Sequence, residues 1–208
     1  MDLVFLERFY TYLREAYSCS NNTSIKYMKR FAAILNFAEK IGLLKTNPFK
    51  LFRFHIEKKY PIYLTEDEVN LIAGKAFMTK RLNRVKDIFV FCCWTGISYR
   101  DVCNLKLSDI KYRNKQYWLI IIRQKTDNIS QIPLLDVPLQ ILEKYHPDFH
   151  KYPSDKPLFF MSSNQKTNEY LKEIANICGI QKSISFHCGR HTNFHYRLKY
   201  SVLQDVFS

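Results

Sequence analysis

The sequence predicts a mainly α-helical fold with one small antiparallel β-sheet, an α+β class. Two observations predict it. Apolar residues recur at helical spacing over most of the chain. Two β-rich segments, 117–122 and 129–134, stand on either side of a polar connection, as they do in a hairpin. With 208 residues, 47% of them hydrophobic, the chain can bury one sizeable core and a smaller helical unit.

The first part of the chain predicts the smaller unit. Leu6, Phe9 and Leu13 recur at helical spacing within residues 3–17. A second helix is expected to begin near Thr23 and to end around Gly42. We therefore expect two helices in this region.

The polar face of the second helix is basic. Lys26, Lys29 and Arg30 lie on it, at positions that can follow the phosphates of one DNA strand. An ordinary solvated helix face would look the same. We therefore treat these three residues as candidate DNA-binding residues.

The rest of the chain predicts a larger, mainly helical domain. Residues 65–68, Thr-Glu-Asp-Glu, form a capping-box pattern that opens it. Further helices are expected near residues 81–94, 138–145 and 167–178. Residues 158–160 are expected to be a short buried strand or an extended segment.

The composition favours a polyanionic partner. The formal net charge is +13, from 32 Lys and Arg against 19 Asp and Glu. Binding to DNA requires such an excess, because each neutralised phosphate releases a counterion. A generic basic protein would have the same composition. Because no membrane span or signal peptide is recognisable, we expect a cytoplasmic protein without a membrane partner.

Residues 185–192, Ser-Phe-His-Cys-Gly-Arg-His-Thr, carry the most informative motif. His187 and Arg190 stand three residues apart, so on a helix they share a face and can bind one anion. Ser185 is a good N-cap for that helix. The first turn of a helix also offers free N–H groups and the positive end of its dipole. The motif alone is also compatible with a solvated helix surface.

Two further segments precede this motif. In residues 94–110 a helix is stopped by Gly96, and a short helix carrying Val102 and Leu105 follows. In residues 117–134 the predicted hairpin places Lys125 near its tip.

In this order, the three segments resemble the catalytic domain of the tyrosine recombinases, the phage-integrase-like DNA strand-exchange enzymes, of the mobile-element integrase type. The resemblance implies double-stranded DNA as partner, a homo-oligomer on DNA, and no cofactor. It also implies three parts of the chain. Residues 1–54 would be part of a helical core-binding domain, residues 55–64 a linker, and residues 65–208 the catalytic domain. In the family the two domains form a C-shaped clamp around DNA.

The resemblance assigns roles to three catalytic residues. Arg190 matches the second arginine of the family, a planar fork that can hold two phosphate oxygens. His187 matches the histidine of the same motif, a hydrogen-bond donor and proton-transfer group. Lys125 matches the hairpin lysine that protonates the leaving oxygen. The alternative for Lys125 is an ordinary exposed turn lysine.

Two departures from the family pattern stand out. The first arginine of the family usually follows Thr-Gly-x, and Ser98 occupies that position here. Some members of the family lack this arginine. Arg100 lies two residues on, about 200° around a helix from position 98, so we expect it to contact DNA without replacing the missing side chain.

The second departure concerns the tail. The chain ends at Ser208, before the family's further helix with its nucleophilic tyrosine, so we expect a C-terminally truncated, inactive chain. Tyr196 and Tyr200 are expected on the Arg190 helix itself. Two functions stay open: site-specific recombination or integration of a mobile element, and a non-catalytic DNA-binding remnant or regulator.

The cysteines and histidines predict no further site. Six cysteines without a Cys-x-x-Cys pair favour buried thiols in a reducing cytoplasm. The family resemblance implies that this is the cytoplasm of a prokaryotic cell, with the protein at the nucleoid. His187, His191 and His195 follow one another at four-residue steps. Without a carboxylate or thiolate at close spacing, we expect no physiological metal site there.

Overall fold

The chain divides into two compact units, Met1–Tyr60 and Pro61–Ser208. The computed structural model describes residues 1–123, 128–151 and 155–207, with side chains up to Arg197 in the last helix. The boundary at Tyr60 lies inside the predicted 55–64 linker. Both units are built mainly from helices, and the second also contains a three-stranded antiparallel sheet. The predicted α+β class is therefore confirmed.

The first unit consists of two helices and a 3₁₀ turn. Helix α1 spans Leu3–Glu15, helix α2 spans Asn21–Lys40, and the turn spans Pro48–Lys50. Side-chain oxygens of Asp2 and Ser20 cap the two helices. The core consists of buried apolar residues from all three elements, namely Leu6, Leu13, Met28, Leu35 and Phe49.

The end of the first unit is held to the start of α2. The Asn21 side chain donates a hydrogen bond to the His55 carbonyl, and Asn22 exchanges two hydrogen bonds with the Glu57 backbone. Residues 55–57 thus belong to the first unit.

The described residues of the second unit form six α-helices and a 3₁₀ turn at Leu107–Asp109. The helices are α3 Glu66–Gly74, α4 Lys80–Thr95, α5 Tyr99–Cys103, α6 Asp136–Tyr145, α7 Asn164–Ile177 and α8 Phe186–Phe207. The predicted capping box at Thr65 and Glu68 is present at the start of α3. Gly96 and Gly179, at the ends of α4 and α7, have φ values of +67° and +71°. Glycine is favoured at both positions because a Cβ atom makes this left-handed backbone conformation energetically unfavourable.

The sheet has the order β1-β2-β3, with β1 Ile110–Arg113, β2 Gln116–Ile122 and β3 Ile129–Pro133. Both pairings are antiparallel, with Leu119 paired to Ile110 on one side and to Ile132 on the other. The predicted hairpin is confirmed, and β1 is an additional strand. Residues 158–160 do not form a strand, and Leu158 and Phe159 are buried.

Helix α4 is the centre of the second unit and packs against α3, α6, α7 and α8. Its residues from Ile88 to Cys93 are all buried, as expected of a helix surrounded by other elements. Gly189 of α8 lies against it: a Cβ at this position would be 3.3 Å from the Phe89 ring. The close approach sets the position of α8, the helix with the His-x-x-Arg motif.

Candidate functional site

The start of α8 is held in place from two sides. The Phe186 N–H donates a hydrogen bond of 2.7 Å to Asn168 Oδ1, on α7. The Phe186 ring is buried and contacts the rings of Phe89 and Tyr99 edge-on, with centroids 6.3 and 5.4 Å away. Asn168 therefore satisfies the first N–H of the helix, a role that the sequence did not predict.

His187 and Arg190 are both exposed and lie one turn apart on this helix. The His191 ring packs edge-on against His187, with centroids 4.5 Å apart and planes 84° apart. Burial lowers the pKa of His191 below its ordinary value of 6.5, and the charges of His187 and Arg190 lower it further. The surroundings of His191 therefore disfavour its protonated form.

Ser98 is the N-cap of α5 and lies outside the helix, with an extended backbone. Its hydroxyl donates a hydrogen bond of 2.7 Å to Asp101 Oδ2 and accepts one from the Asp101 N–H. The Ser98 N–H donates to the same Asp101 Oδ2, which completes a capping box. The expected angle of 200° between positions 98 and 100 assumed that both lie on one helix. That assumption is wrong, because Ser98 has not yet adopted helical dihedral angles.

Arg100 and His187 line the same open depression, of about 520 Å³, between α5, α7 and the start of α8. The other polar lining residues include Ser98, Asn104, Asn164, Asn168 and Ser185. Tyr99 and Cys103 also line it, and the Tyr99 hydroxyl donates a hydrogen bond to the Ser162 carbonyl. Burial, followed by the hydrogen bond with Cys103, raises the pKa of Tyr99 to about 12, so this hydroxyl stays protonated near neutral pH.

Asn193 connects α8 to the turn that precedes Ser98. Its Nδ2 donates a hydrogen bond of 2.8 Å to the Trp94 carbonyl near the end of α4. Its Oδ1 lies so close to Gly96 that a Cβ there would be 2.5 Å away. Asn193 was not among the predicted site residues, because only the tertiary fold brings it to the end of α4.

The beginning of the second unit is attached to the same helix. Thr192 Oγ1 accepts a hydrogen bond of 3.0 Å from the Leu64 N–H and donates one to the Cys188 carbonyl. The Tyr63 ring stacks on His195, with centroids 4.1 Å apart. His195 thus contacts Tyr63, whereas His187 and His191 contact each other. Within the described residues, no cluster of three or more His, Cys, Asp or Glu could hold a metal ion.

The remaining predicted residues lie as follows. Lys26, Lys29 and Arg30 are exposed and line a shallow depression on the first unit. Lys29 Nζ is 5.7 Å from the centre of the Phe54 ring. Lys125 lies outside the described residues, so its position relative to Arg190 stays a prediction.

Two further predictions concern the tail and the thiols. Tyr196 is on α8, as expected, and is 5% exposed beside Trp94, with ring centroids 6.0 Å apart.

All six cysteines are free, and Cys92, Cys93 and Cys188 are buried. Burial raises the pKa of these three thiols. None of the described helices combines the length and apolar character of a membrane span.

The fold defined by these elements is that of DNA recombinases and integrases. The XerH site-specific recombinase bound to its difH substrate has a TM-score of 0.70 and 19% identity, covering 96% of this chain and 61% of XerH. A lambda integrase dimer bound to a COC′ core site has a TM-score of 0.71 and 17% identity, covering 93% and 69%. The Tn1549 transposon integrase, in complex with circular intermediate DNA, has a TM-score of 0.67 and 17% identity, covering 93% and 71%.

Sequence comparison identifies the family. The phage integrase family matches residues 63–199, and the phage integrase SAM-like domain matches residues 1–60. The chain therefore belongs to the phage integrase family, the tyrosine recombinases that its motifs predicted.

Two curated relatives are tyrosine recombinases. The one from Thermosipho africanus is 26% identical over 82% of this chain, and the one from Agathobacter rectalis is 28% identical over 77%. The matches cover 60% and 58% of the relatives, so the chain spans about three fifths of their length.

Proposed function

We propose that the protein acts in site-specific recombination or integration of a mobile element, and that this chain provides DNA binding and part of the strand-exchange site. The observation that carries the proposal is the exposed His187–Arg190 pair at the start of α8, in a chain of the phage integrase family. In the proposed reaction a tyrosine attacks a DNA phosphodiester, forms a 3′-phosphotyrosyl link and releases a 5′-hydroxyl.

The chain's own residues supply charge and protons in this reaction. Arg190 offers a planar fork to two non-bridging phosphate oxygens, where negative charge collects in the transition state. His187, one turn earlier, donates a hydrogen bond to the same phosphate or moves a proton at it. We assign protonation of the leaving 5′-oxygen to Lys125, on the family pattern alone.

The first unit would add affinity through its basic face. Lys26, Lys29 and Arg30 are exposed together on α2 and would neutralise successive phosphates of one strand. We propose double-stranded DNA as the partner and a homo-oligomer on that DNA. We further propose that the protein acts at the nucleoid, in the cytoplasm of a prokaryotic cell.

A second function, a DNA-binding regulator or remnant without catalysis, is favoured by two observations. A serine that caps a helix stands where the family has its first arginine. Tyr196, the described tyrosine nearest to Arg190 along the helix, is buried against Trp94. Both functions require the same DNA contacts, and they differ only in the chemistry.

Substitution of the pair tests the contacts. His187→Gln and Arg190→Gln should each weaken binding to duplex DNA, Arg190→Gln by roughly tenfold or more, because it loses a charged hydrogen-bonding partner. His150→Gln and Arg84→Gln are matched controls, since both residues are exposed in the same unit. If all four variants bound DNA like the wild type, α8 would not be the contact surface.

A further inference from the structure

We infer that Arg100 and His187 bind one phosphate group of the DNA backbone together, in the depression between α5, α7 and the start of α8. The inference rests on the proposed function, because it takes DNA to be the ligand. It goes beyond that function in giving Arg100 a place at the phosphate that His187 contacts.

The lining of the depression suits an anion. Arg100 supplies its guanidinium, and the His187 imidazole, three asparagine amides and the Ser185 hydroxyl add hydrogen-bond donors. No carboxylate is among the described lining residues. The positive end of the α8 dipole faces the same place, since His187 is the second residue of that helix.

A neighbouring depression on the same unit has a different lining, which includes carboxylates. That second depression lies between α5 and the sheet and is lined by Asp101, Asp109 and Lys106, with apolar residues of β2. Its two carboxylates would repel a phosphate. The anion-binding character is therefore specific to the side of α5 on which Arg100 and His187 lie.

Local structure leaves the Arg100 guanidinium available. Arg100 is exposed, and no ion pair joins it to a carboxylate in the described ranges of the chain. The carboxylate closest in sequence, Asp101, is buried and accepts the Ser98 hydroxyl. Capping by Ser98 thus occupies an acidic group that would otherwise compete for Arg100.

The two side chains come from segments that are rigidly connected. Asn193 binds the Trp94 carbonyl and packs on Gly96, which fixes the turn before α5 relative to α8. Asn168 binds the Phe186 N–H and also lines the depression, so α7 holds the α8 start from the other side. Pre-organised donors of this kind cost little to order when the anion binds.

The test uses inorganic phosphate as the probe and the 208-residue chain. Sodium phosphate is titrated at constant ionic strength while the imidazole resonances of His187, identified from a His187→Gln spectrum, are followed by NMR. We expect a saturable shift. Arg100→Gln should raise the apparent Kd at least about fivefold, since a cationic partner contributes more than a neutral one. Arg84→Gln, another exposed arginine, should leave it unchanged.

A double-mutant cycle with a short DNA duplex gives the second measurement. Arg100→Gln should weaken binding several-fold in the wild type, and clearly less in the His187→Gln background, because the two residues share one phosphate. Arg100→Lys should restore part of the affinity, as it keeps the charge and loses the fork.

The failure of this inference is distinguishable from that of the proposed function. Equal phosphate affinity of the wild type and Arg100→Gln, or full additivity in the cycle, would overturn the shared phosphate site. DNA binding that still depended on Arg190 would then leave the proposed function standing. If DNA binding also proved independent of Arg190, both the shared phosphate site and the proposed function would be contradicted.

Discussion

Asn193 Nδ2 donates a hydrogen bond of 2.8 Å to the carbonyl oxygen of Trp94. This contact joins the helix of His187 and Arg190 to the end of α4, two residues before Gly96. The Asn193 side chain also fills the space above Gly96, where a Cβ would be 2.5 Å from Oδ1 and 3.0 Å from Cγ. The turn that leads to Ser98 and Arg100 is therefore packed against α8.

This packing predicts an unequal effect of alanine at two glycines. Gly96 and Gly179 both have left-handed backbones, but no atom lies within 4 Å of a Cβ at Gly179. Gly179→Ala should lower the free energy of unfolding by about 1–2 kcal/mol, the cost of the backbone conformation alone. Gly96→Ala should cost at least about 1 kcal/mol more, because Asn193 must move away from the Trp94 carbonyl. Urea unfolding of both variants measures the difference, and equal losses would contradict the close packing.

Most of the fold was predictable because local signals agree with the final packing. Apolar periodicity and glycine stops predicted α4 and α7, and Thr65 with Glu68 predicted the start of α3. Strand β1 was missed. Its turn to β2 has positive φ at both Asn114 and Lys115, +50° and +62°. The usual sequence signal of such a turn is Asn-Gly. Because lysine occupies the second position here, the sequence did not indicate a turn.

The site was predictable only where its residues are close in sequence. His187 and Arg190 share a helix face, so their spacing indicated their proximity. The contribution of Asn168 and Asn193 depends on how α7 and α4 pack against α8, which no local pattern encodes. The depression that Arg100 and His187 line was not predicted, for a different reason. The 200° angle between positions 98 and 100 requires both to be helical, whereas Ser98 is an N-cap outside the helix.

The lowered pKa of His191 predicts a pH dependence of stability. Burial, and then the charges of His187 and Arg190, disfavour its protonation in the folded state, so the unfolded chain binds this proton more readily. Stability should therefore fall as the pH decreases from about 6.5 towards the folded pKa, and this loss is absent above 6.5. Urea unfolding of the wild type and of His191→Gln between pH 5 and pH 8 measures how the free energy of unfolding changes with pH.

The two pH profiles should be parallel above neutrality and diverge in acid, with the wild type losing stability relative to His191→Gln. Parallel profiles over the whole range would show that the environment of His191 does not disfavour its charge.

The burial of Tyr196 predicts that it does not act as a nucleophile. A tyrosine packed against Trp94 at 5% exposure cannot approach a phosphate in line with the leaving oxygen. We expect the 208-residue chain, incubated with a nicked DNA duplex, to form no covalent adduct through Tyr196. A denaturing gel decides it. An adduct that is lost in Tyr196→Phe would show that α8 rearranges on DNA.

Whether the chain binds DNA through its phosphates is decided by measuring its affinity for duplex DNA at two salt concentrations. With a net charge of +13, and with basic residues exposed on α2 and at the start of α8, the chain should bind mainly through phosphates. We expect weak binding with modest sequence preference. Its Kd should rise at least roughly tenfold between 50 and 200 mM salt, because several counterions are released on binding. An affinity unchanged by salt, or no binding at low salt, would contradict this expectation.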